Sequence, residues 1–156
     1  MNDVLIYTDG SCDKNPGGNG GYAVIIFDEH NPIKISGYEP VTTNQRMEMK
    51  AVITALNYFK TRKTIRLFTD SAYVCNGYNK KWYSSWLKNG WKNSKGEDVA
   101  NRDLWEHIIE LVNFHDVEIN YVKGHSTNIF NNECDLMAKD IIRFYKEIKS
   151  KIDQRI

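Results

Sequence analysis

Tyr7-Thr8-Asp9-Gly10-Ser11 and Phe68-Thr69-Asp70-Ser71 are two nearly matching stretches of the chain, and they decide the fold. Each begins in an apolar run that favours a β-strand, and each places an aspartate directly before a small turn residue. We expect both strands to end at their aspartates. If the strands are neighbours, both carboxylates lie at one edge of the sheet, where open α/β sheets bind their ligands. Carboxylates paired at that edge are candidate ligands for a hard cation.

The spacing of apolar residues alternates between strand-like and helical along the chain. Strands are predicted at 4–8, 22–27, 33–38, 64–69 and 117–122. Helices are predicted at 44–60, 71–88, 101–113 and from 131 almost to the C-terminus. Short turns join the first three strands, as in an antiparallel meander, whereas a helix between later strands implies parallel pairing. The expected class is α/β, with a mixed five-stranded sheet of three antiparallel and then two parallel strands, flanked by helices.

Length and composition restrict the class of protein. The 156 residues fit one domain, and a chain of this size buries roughly 70% of the surface that it exposes when unfolded. The net charge of +1 neither favours nor excludes a nucleic-acid partner, so the distribution of charge has to decide. Three widely spaced cysteines predict neither a disulfide framework nor a zinc site, which favours the reducing cytoplasm. No signal peptide or membrane span is expected.

Two more acidic residues fall on the apolar faces of predicted helices. Glu48 shares a helical face with Val52 and Ala55, and Asp135 shares one with Ala138. A single acid in a first helical turn is ordinary, because the helix dipole favours it, and an aspartate at a strand end is a common turn former. Four acids that converge need a cation, since two carboxylates about 4 Å apart repel by roughly 4 kcal/mol at an effective dielectric constant near 20. All-oxygen ligation indicates Mg²⁺ or Mn²⁺.

The segment 76–96 contains no acidic residue, and lysines alternate there with aromatic residues. Its lysines and tryptophans are Lys80, Lys81, Lys88, Lys92, Lys95, Trp82, Trp86 and Trp91. Such a pattern is typical of surfaces that bind a phosphate backbone and its bases. The alternative is an amphipathic helix whose tryptophans pack on the protein while its lysines face water. The absence of acids favours binding.

His125 follows the fifth predicted strand in the loop Val122-Lys123-Gly124-His125-Ser126. A histidine on a polar, glycine-flanked loop is able to transfer protons near neutral pH. The alternative is a solvated loop residue without a chemical role.

Taken together, these motifs closely resemble type 1 ribonuclease H of the bacterial kind, from about Val4 to Ala138. The matching motifs, in order, are Tyr7-Thr8-Asp9-Gly10-Ser11-Cys12, Asn15-Pro16-Gly17, Thr43-Asn44-Gln45-Arg46-Met47-Glu48, Thr69-Asp70-Ser71, Val122-Lys123-Gly124-His125, Asn131 and Cys134-Asp135. Each motif is short, but their order and spacing are highly specific.

The resemblance implies an endoribonuclease that cleaves the RNA strand of RNA–DNA hybrids without reading base sequence, leaving a 5′-phosphate and a 3′-hydroxyl. By matched position, the metal-binding carboxylates are Asp9, Glu48, Asp70 and Asp135. His125 matches a loop histidine that assists proton transfer or product release. Two Mg²⁺ ions, with Mn²⁺ as an alternative, are the implied cofactors. A monomer without an obligate protein partner is expected.

The resemblance also implies where the hybrid binds. Expected contacts to the RNA strand are Gly10, Ser11, Cys12, Asn44 and Gln45, and expected contacts to the DNA strand are Asn15, Asn76 and the family's basic protrusion, here about 76–96. Its nucleic-acid-binding residues would be Lys80, Lys81, Trp82, Trp86, Lys88, Trp91 and Lys92.

Some positions depart from the family pattern. Asn132 stands where the family often has Glu, with Glu133 following it, so that a supporting carboxylate is lost or displaced. Gln45 and Ala72 replace residues that are often Asn and Gln, which predicts altered minor-groove contacts. The helical tail at about 139–156 has no matched counterpart.

Two other functions compete with this interpretation. One is a non-catalytic module that binds hybrids through the basic segment alone, although such a module has no need for four converging acids. The other is an integrase-like or junction-cutting nuclease of the same fold that acts on DNA. The lysine–tryptophan segment and Gly124-His125 favour the ribonuclease.

Overall fold

The computed structural model describes residues 3–124 and 127–154. Its five strands are β1 Asp3–Cys12, β2 Gly20–Phe27, β3 Ile33–Glu39, β4 Thr64–Thr69 and β5 Asp116–Tyr121. Its helices are α1 Asn44–Asn57, α2 Ala72–Asn79, α3 Trp82–Asn89, α4 Arg102–Phe114 and α5 Ile129–Asp153. The strands form one sheet in the order β3-β2-β1-β4-β5. Strands β1, β2 and β3 pair antiparallel, whereas β4 pairs parallel with both β1 and β5, which confirms the predicted mixed sheet.

Strand β1 is longer than the sequence predicts. The expectation that it ends at Asp9 is wrong, because Gly10, Ser11 and Cys12 continue the antiparallel pairing with β2. Its parallel pairing with β4 stops earlier, at Thr8 and Thr69. Asp9 therefore lies within a strand, one residue beyond the last parallel pair, and still reaches the same edge of the sheet as Asp70.

The helix predicted at 71–88 is two helices. Ser71 caps α2, since its hydroxyl accepts a hydrogen bond from the Val74 amide at 3.1 Å. Lys81 then adopts the left-handed conformation, with φ of 54°, and separates α2 from α3. The apolar pattern runs through this break, so periodicity alone does not reveal it.

Helices cover both faces of the sheet. Helix α1 begins at the cap Thr43, whose hydroxyl accepts from the Arg46 amide, and packs Met49, Val52 and Leu56 into the larger core together with α4. Helix α5 covers the opposite face and buries Cys134 and Ala138 against Tyr7, Ala23 and Ile25. The two helices thereby approach β1 from opposite sides.

Helix α5 extends well beyond the sheet. Ile142 is its last buried residue, and the helix then continues to Asp153 with its side chains exposed. Tyr145 stacks on Tyr38 of β3, with ring centroids 4.3 Å apart and planes 4° from parallel. No helix in the described part of the chain is long and apolar enough to cross a membrane.

Candidate active site

Three acidic side chains from different elements meet at one edge of the sheet. Asp9, Glu48 and Asp70 each offer a carboxylate oxygen, and these oxygens all lie within 4.8 Å of one another. Register explains two of them, because Asp9 and Asp70 directly follow the last parallel pair, Thr8 and Thr69.

Gly10 allows the third carboxylate to approach. A Cβ atom at this position would lie 2.2 Å from the Glu48 backbone nitrogen and 2.4 Å from the Met47 carbonyl carbon. No side chain fits there, so α1 can pack its second turn directly on the backbone of β1. This contact brings Glu48 next to Asp9.

Asp9 is the most buried member of the group, with 3% of its surface exposed. Its Oδ1 accepts a hydrogen bond from the Gly10 amide at 2.8 Å, whereas its buried Oδ2 has no hydrogen-bond partner among the described residues. Burial, followed by the charge and the close carboxyl group of Asp70 and then by the charge of Asp135, raises the pKa of Asp9 from 3.8 to about 9, and the bond from the Gly10 amide opposes this rise. Without a cation, Asp9 keeps its proton at neutral pH.

Glu48 is perturbed in the same direction. Burial raises its pKa from 4.5 to about 7, Asp70 adds to the effect, and a hydrogen bond from Ser71 opposes it. Ser71 is a site residue that the sequence interpretation missed. The Thr69-Asp70-Ser71 motif contains it, but as a small residue after the strand it predicts only a turn.

Asp135 approaches from the other face of the sheet. It lies on the first part of α5 next to Cys134, whose buried thiol donates to the Tyr7 carbonyl at 3.4 Å. Asp135 is not a member of the 4.8 Å group, and Lys139 donates to its Oδ2 at 3.0 Å. Its charge nevertheless contributes to the raised pKa of Asp9.

His125 lies outside the described residues. The described chain reaches Gly124, where a Cβ atom would lie 3.1 Å from Oδ2 of Asp70. The loop that contains His125 therefore begins beside the carboxylates, and the role of the histidine stays a prediction.

These donors fit a hard divalent cation. All are carboxylate oxygens, which Mg²⁺ and Mn²⁺ prefer over nitrogen or sulfur. The Oδ2 of Asp9, which has no donor among residues 3–124 and 127–154, is the strongest indication, because such a buried carboxylate oxygen costs free energy unless a cation or proton satisfies it.

Comparison with known proteins identifies the family. The sequence model described as RNase H matches residues 1–143. The chain belongs to the ribonuclease H family. Ribonuclease H of Syntrophomonas wolfei is 48% identical over 144 residues, which cover 92% of this chain and 98% of that protein. The chain is accordingly a hydrolase of the nuclease type.

Solved structures of ribonuclease H have the same fold. LC9-RNase H1, described as a type 1 RNase H with the type 2 active-site motif, superposes with a TM-score of 0.79 at 30% identity. The match covers 91% of this chain and 72% of LC9-RNase H1. LC11-RNase H1, solved in complex with RNA/DNA hybrid, has a TM-score of 0.70 at 20% identity, covering 91% of this chain and 98% of that one, and at this identity it supports the fold alone.

The residues expected to bind the RNA strand lie on the two elements that carry Asp9 and Glu48. Gly10, Ser11 and Cys12 form the end of β1, and Asn44 and Gln45 form the first turn of α1. A hydrogen bond of 3.1 Å from the Asn44 amide to Oδ1 of Asn15 joins this group to a residue expected on the DNA side. Asn76 lies half-buried on α2.

The basic segment of this family member is divided between packing and exposure. Trp86 packs against Trp91 and Trp105, each with ring centroids 5.6 Å apart, and Trp91 is 6% exposed. Trp91 therefore packs as the alternative expects and has little surface left for a ligand, and its binding role stays a prediction. By contrast, Lys80, Lys81, Lys88 and Lys92 are exposed.

Glu133 does not replace the carboxylate that the family often has at position 132. Its Oε1 accepts from Nζ of Lys34 on β3 at 2.5 Å, and its side chain is 39% exposed. This ion pair links α5 to β3, so the carboxylate of Glu133 is paired with Lys34 and not with the candidate active site.

Proposed function

We propose that this chain is an endoribonuclease that hydrolyses the RNA strand of RNA–DNA hybrids, independently of sequence, with two divalent cations. The products would carry 5′-phosphate and 3′-hydroxyl ends. The observation that carries the proposal is the group of three carboxylates with oxygens within 4.8 Å of one another, together with the orphaned oxygen of Asp9.

Asp9, Glu48, Asp70 and Asp135 would hold the cations, Mg²⁺ or Mn²⁺. When bound, the cations supply charge neutralisation at the phosphate and lower the pKa of the attacking water. Asp9 would be shared by both ions because it is central to the group and its charge is influenced by Asp70 and Asp135. Asp70 would orient the water, with Glu48 and Asp135 on either side.

The protein also prepares the charge state of the site. Asp9 would hold a cation in its ionised form, and so would release the proton that it retains at neutral pH. Ser71 holds Glu48 through a hydrogen bond that favours its ionised form. His125 would assist proton transfer or product release from the loop that follows Gly124.

Hybrid recognition would use both sides of the site. LC11-RNase H1, which shares the fold, was solved with an RNA/DNA hybrid. A hybrid exposes 2′-hydroxyls in its minor groove, and these distinguish its RNA strand from DNA. Ser11, Asn44 and Gln45 would contact that strand, Asn15 and Asn76 would contact the DNA strand, and the exposed lysines of 76–96 would bind its phosphates.

We further propose that the chain is one domain and works as a monomer in the cytoplasm. One sheet joins all five strands, and helices from both halves of the sequence pack on it. Cys12, Cys75 and Cys134 are all free thiols, as a reducing compartment would keep them.

One assay tests the activity against its two alternatives. The purified chain is incubated with labelled RNA–DNA hybrid, duplex DNA or duplex RNA, in Mg²⁺ or in EDTA. Cleavage of the RNA strand of the hybrid alone, in Mg²⁺ alone, is the expected result, and end-labelling of the fragments reports the product ends. Binding without cleavage would support the non-catalytic module, and cleavage of duplex DNA would support the integrase-like enzyme.

A further inference from the structure

The extended part of α5 forms the wall of a cleft that begins at the candidate RNA-binding residues. A cleft of about 400 Å³ is lined by Ser11, Cys12 and Asp13 from the end of β1 and by Lys139, Ile142, Arg143 and Lys146 from α5. A second cleft of about 470 Å³ is lined by Asn19, Tyr38, Lys146, Lys149, Ser150, Asp153 and Gln154. Lys146 belongs to both linings, so the two clefts are neighbours along α5, and together they are here called the α5 groove.

Helical periodicity concentrates cations along this groove. Lys139, Arg143 and Lys146 are spaced by four and three residues and share one face of α5, with Lys149 beside them. The acids Asp140 and Glu147 line neither cleft. The lining contains four cations and two carboxylates, Asp13 and Asp153. Two of the cations also pair with acids outside the lining, Lys139 with Asp135 at 3.0 Å and Arg143 with Asp140 at 3.2 Å.

Two acidic residues in and beside the groove already accept hydrogen bonds or form ion pairs. Asp13 accepts from the backbone and side-chain nitrogens of Asn19, at 2.8 and 3.2 Å, and from Lys146 at 3.1 Å. Arg143 pairs with Asp140 at 3.2 Å in an exposed contact, with 75% of the Arg143 side chain accessible. Exposed pairs of this kind contribute little free energy, so a phosphate can replace the partner at small cost.

The groove is held in place relative to the carboxylates. Tyr145 stacks on Tyr38, and Lys146 is bonded to Asp13. These contacts anchor the exposed helix to β3 and to the loop after β1. From Lys139 to Asp153 the helix extends about 21 Å at about 1.5 Å per residue, roughly the span of six phosphates on one strand of a duplex.

We propose that the α5 groove binds the phosphate backbone of the RNA strand where that strand leaves the carboxylate site, and so lengthens the footprint on the hybrid. This inference rests on the proposed function, because it extends the same RNA-binding edge. The occupant is a nucleic-acid strand, since the groove presents four cations, most of them in exposed ion pairs that a phosphate can replace, and since Ser11 and Cys12 line its first cleft. Lys146 and Lys149 lie beyond residues 1–143, which the family model matches.

The test measures hybrid binding as a function of salt and length, in the binding-only background Asp9→Asn with EDTA. The variant is R143Q/K146Q/K149Q, and the control is K60Q/R62Q/R66Q, which removes the same charge from exposed residues on or before β4, away from the carboxylate edge. Two hybrids are compared, one of about 8 base pairs, too short to fill both site and groove, and one of about 24.

We expect the groove variant to bind the long hybrid roughly tenfold more weakly at low salt and to lower the slope of log Kd against log salt by about two to three. The affinity of the groove variant for the short hybrid should stay within about twofold of the value without the groove substitutions. When Asp9 is left unchanged, the rate at which the groove variant cleaves the short hybrid should likewise stay within about twofold of wild type. Equal effects of the variant and the control on the long hybrid would overturn the inference, as would equal losses on both hybrids.

Two further measurements distinguish a loss of phosphate binding from a loss of folding. The charge-preserving variant R143K/K146R/K149R should retain the wild-type slope, and loss of the slope there would contradict a phosphate-binding role. Circular dichroism checks that each variant is folded. If the wild-type chain neither binds nor cuts any hybrid, the proposed function fails. If it cuts hybrids normally while the groove variant behaves as the control, the groove inference alone fails.

Discussion

The carboxylate site and the basic segment at 76–96 are built in opposite ways. Asp9 is 3% exposed and lies in a strand whose pairing with β2 continues before and after it along the chain. By contrast, the lysines of the basic segment are exposed on and around two short helices. Buried charge is sensitive to each neighbour, because water does not screen it, whereas exposed charge is screened and each residue contributes little. We therefore expect large, all-or-none effects at the carboxylates and graded, salt-dependent effects at the lysines.

The largest expected effect comes from Asp9→Asn. The substitution keeps the size of the side chain but removes the charge that would hold the cations, so cleavage should fall by on the order of a thousandfold or more. Hybrid affinity should stay within severalfold of wild type. Single-turnover cleavage and fluorescence anisotropy measure the two quantities, and cleavage near the wild-type rate would remove the central role given to Asp9.

The next effect concerns the basic segment. Replacing Lys80, Lys81 and Lys88 together by Gln should weaken hybrid binding roughly ten- to hundredfold at low salt and flatten its salt dependence. The rate at saturating hybrid should change little, because these side chains do not touch the carboxylates. Titrations at several salt concentrations check this, with K60Q/R62Q/R66Q as control, and an unchanged salt slope would contradict the docking role.

A smaller effect is expected in the pH dependence of stability. In EDTA the folded chain holds a proton on Asp9 up to a pKa of about 9 and on Glu48 up to about 7, whereas the unfolded chain releases them near 3.8 and 4.5. The folded state binds more protons in that window, so these groups lower the free energy of unfolding as pH rises through it.

Mg²⁺ should oppose this loss. At about pH 8 the ion competes with fewer protons than at about pH 5, so it should raise the thermal midpoint by a few degrees at the higher pH and by less at the lower. Thermal scans with Mg²⁺ and with EDTA measure both shifts. The Asp9→Asn variant should lose most of the Mg²⁺ effect, and an equal shift at both pH values would argue against proton displacement.

The smallest effect on binding is expected from Trp91→Phe. Trp91 is packed against Trp86 and lies under Arg102, whose guanidinium is 5.2 Å from the ring centroid. Its loss should lower stability by about 1 kcal/mol, while hybrid affinity stays within about twofold. Chemical denaturation and anisotropy report the two. A large loss of affinity in a folded variant would give Trp91 the binding role that its burial argues against.

The sequence predicts the sheet and most of the carboxylate group because both follow from simple periodicity. Strand spacing identifies the parallel pair, and the pairing of β1 with β4 then brings Asp9 and Asp70 together. Helical spacing identifies Glu48, since its face also holds Val52. These features depend on which way each residue points, which a repeat of two or 3.6 residues encodes directly.

Other features depend on contacts that periodicity does not contain. The extension of β1 through Gly10 and Cys12 comes from its pairing with β2, although Gly10 and Ser11 by themselves predict a turn. The break between α2 and α3 results from the left-handed backbone conformation of Lys81, which a lysine in the sequence does not predict. Whether a tryptophan binds a ligand or fills the core depends on its neighbours in the folded chain, which for Trp91 are Trp86 and Arg102.

The continuation of β1 past Asp9 has a consequence for the size of the ion that the proposed site would accept. Asp9 lies in a strand whose pairing with β2 continues for three residues beyond it, so the backbone fixes its position. A Ca²⁺ ion, whose oxygen ligands lie at about 2.3–2.6 Å instead of about 2.0–2.1 Å for Mg²⁺, would then have to be accommodated by movement of Glu48 and Asp135 on their helices. Discrimination by ionic radius would therefore depend on how firmly α1 and α5 pack against the sheet.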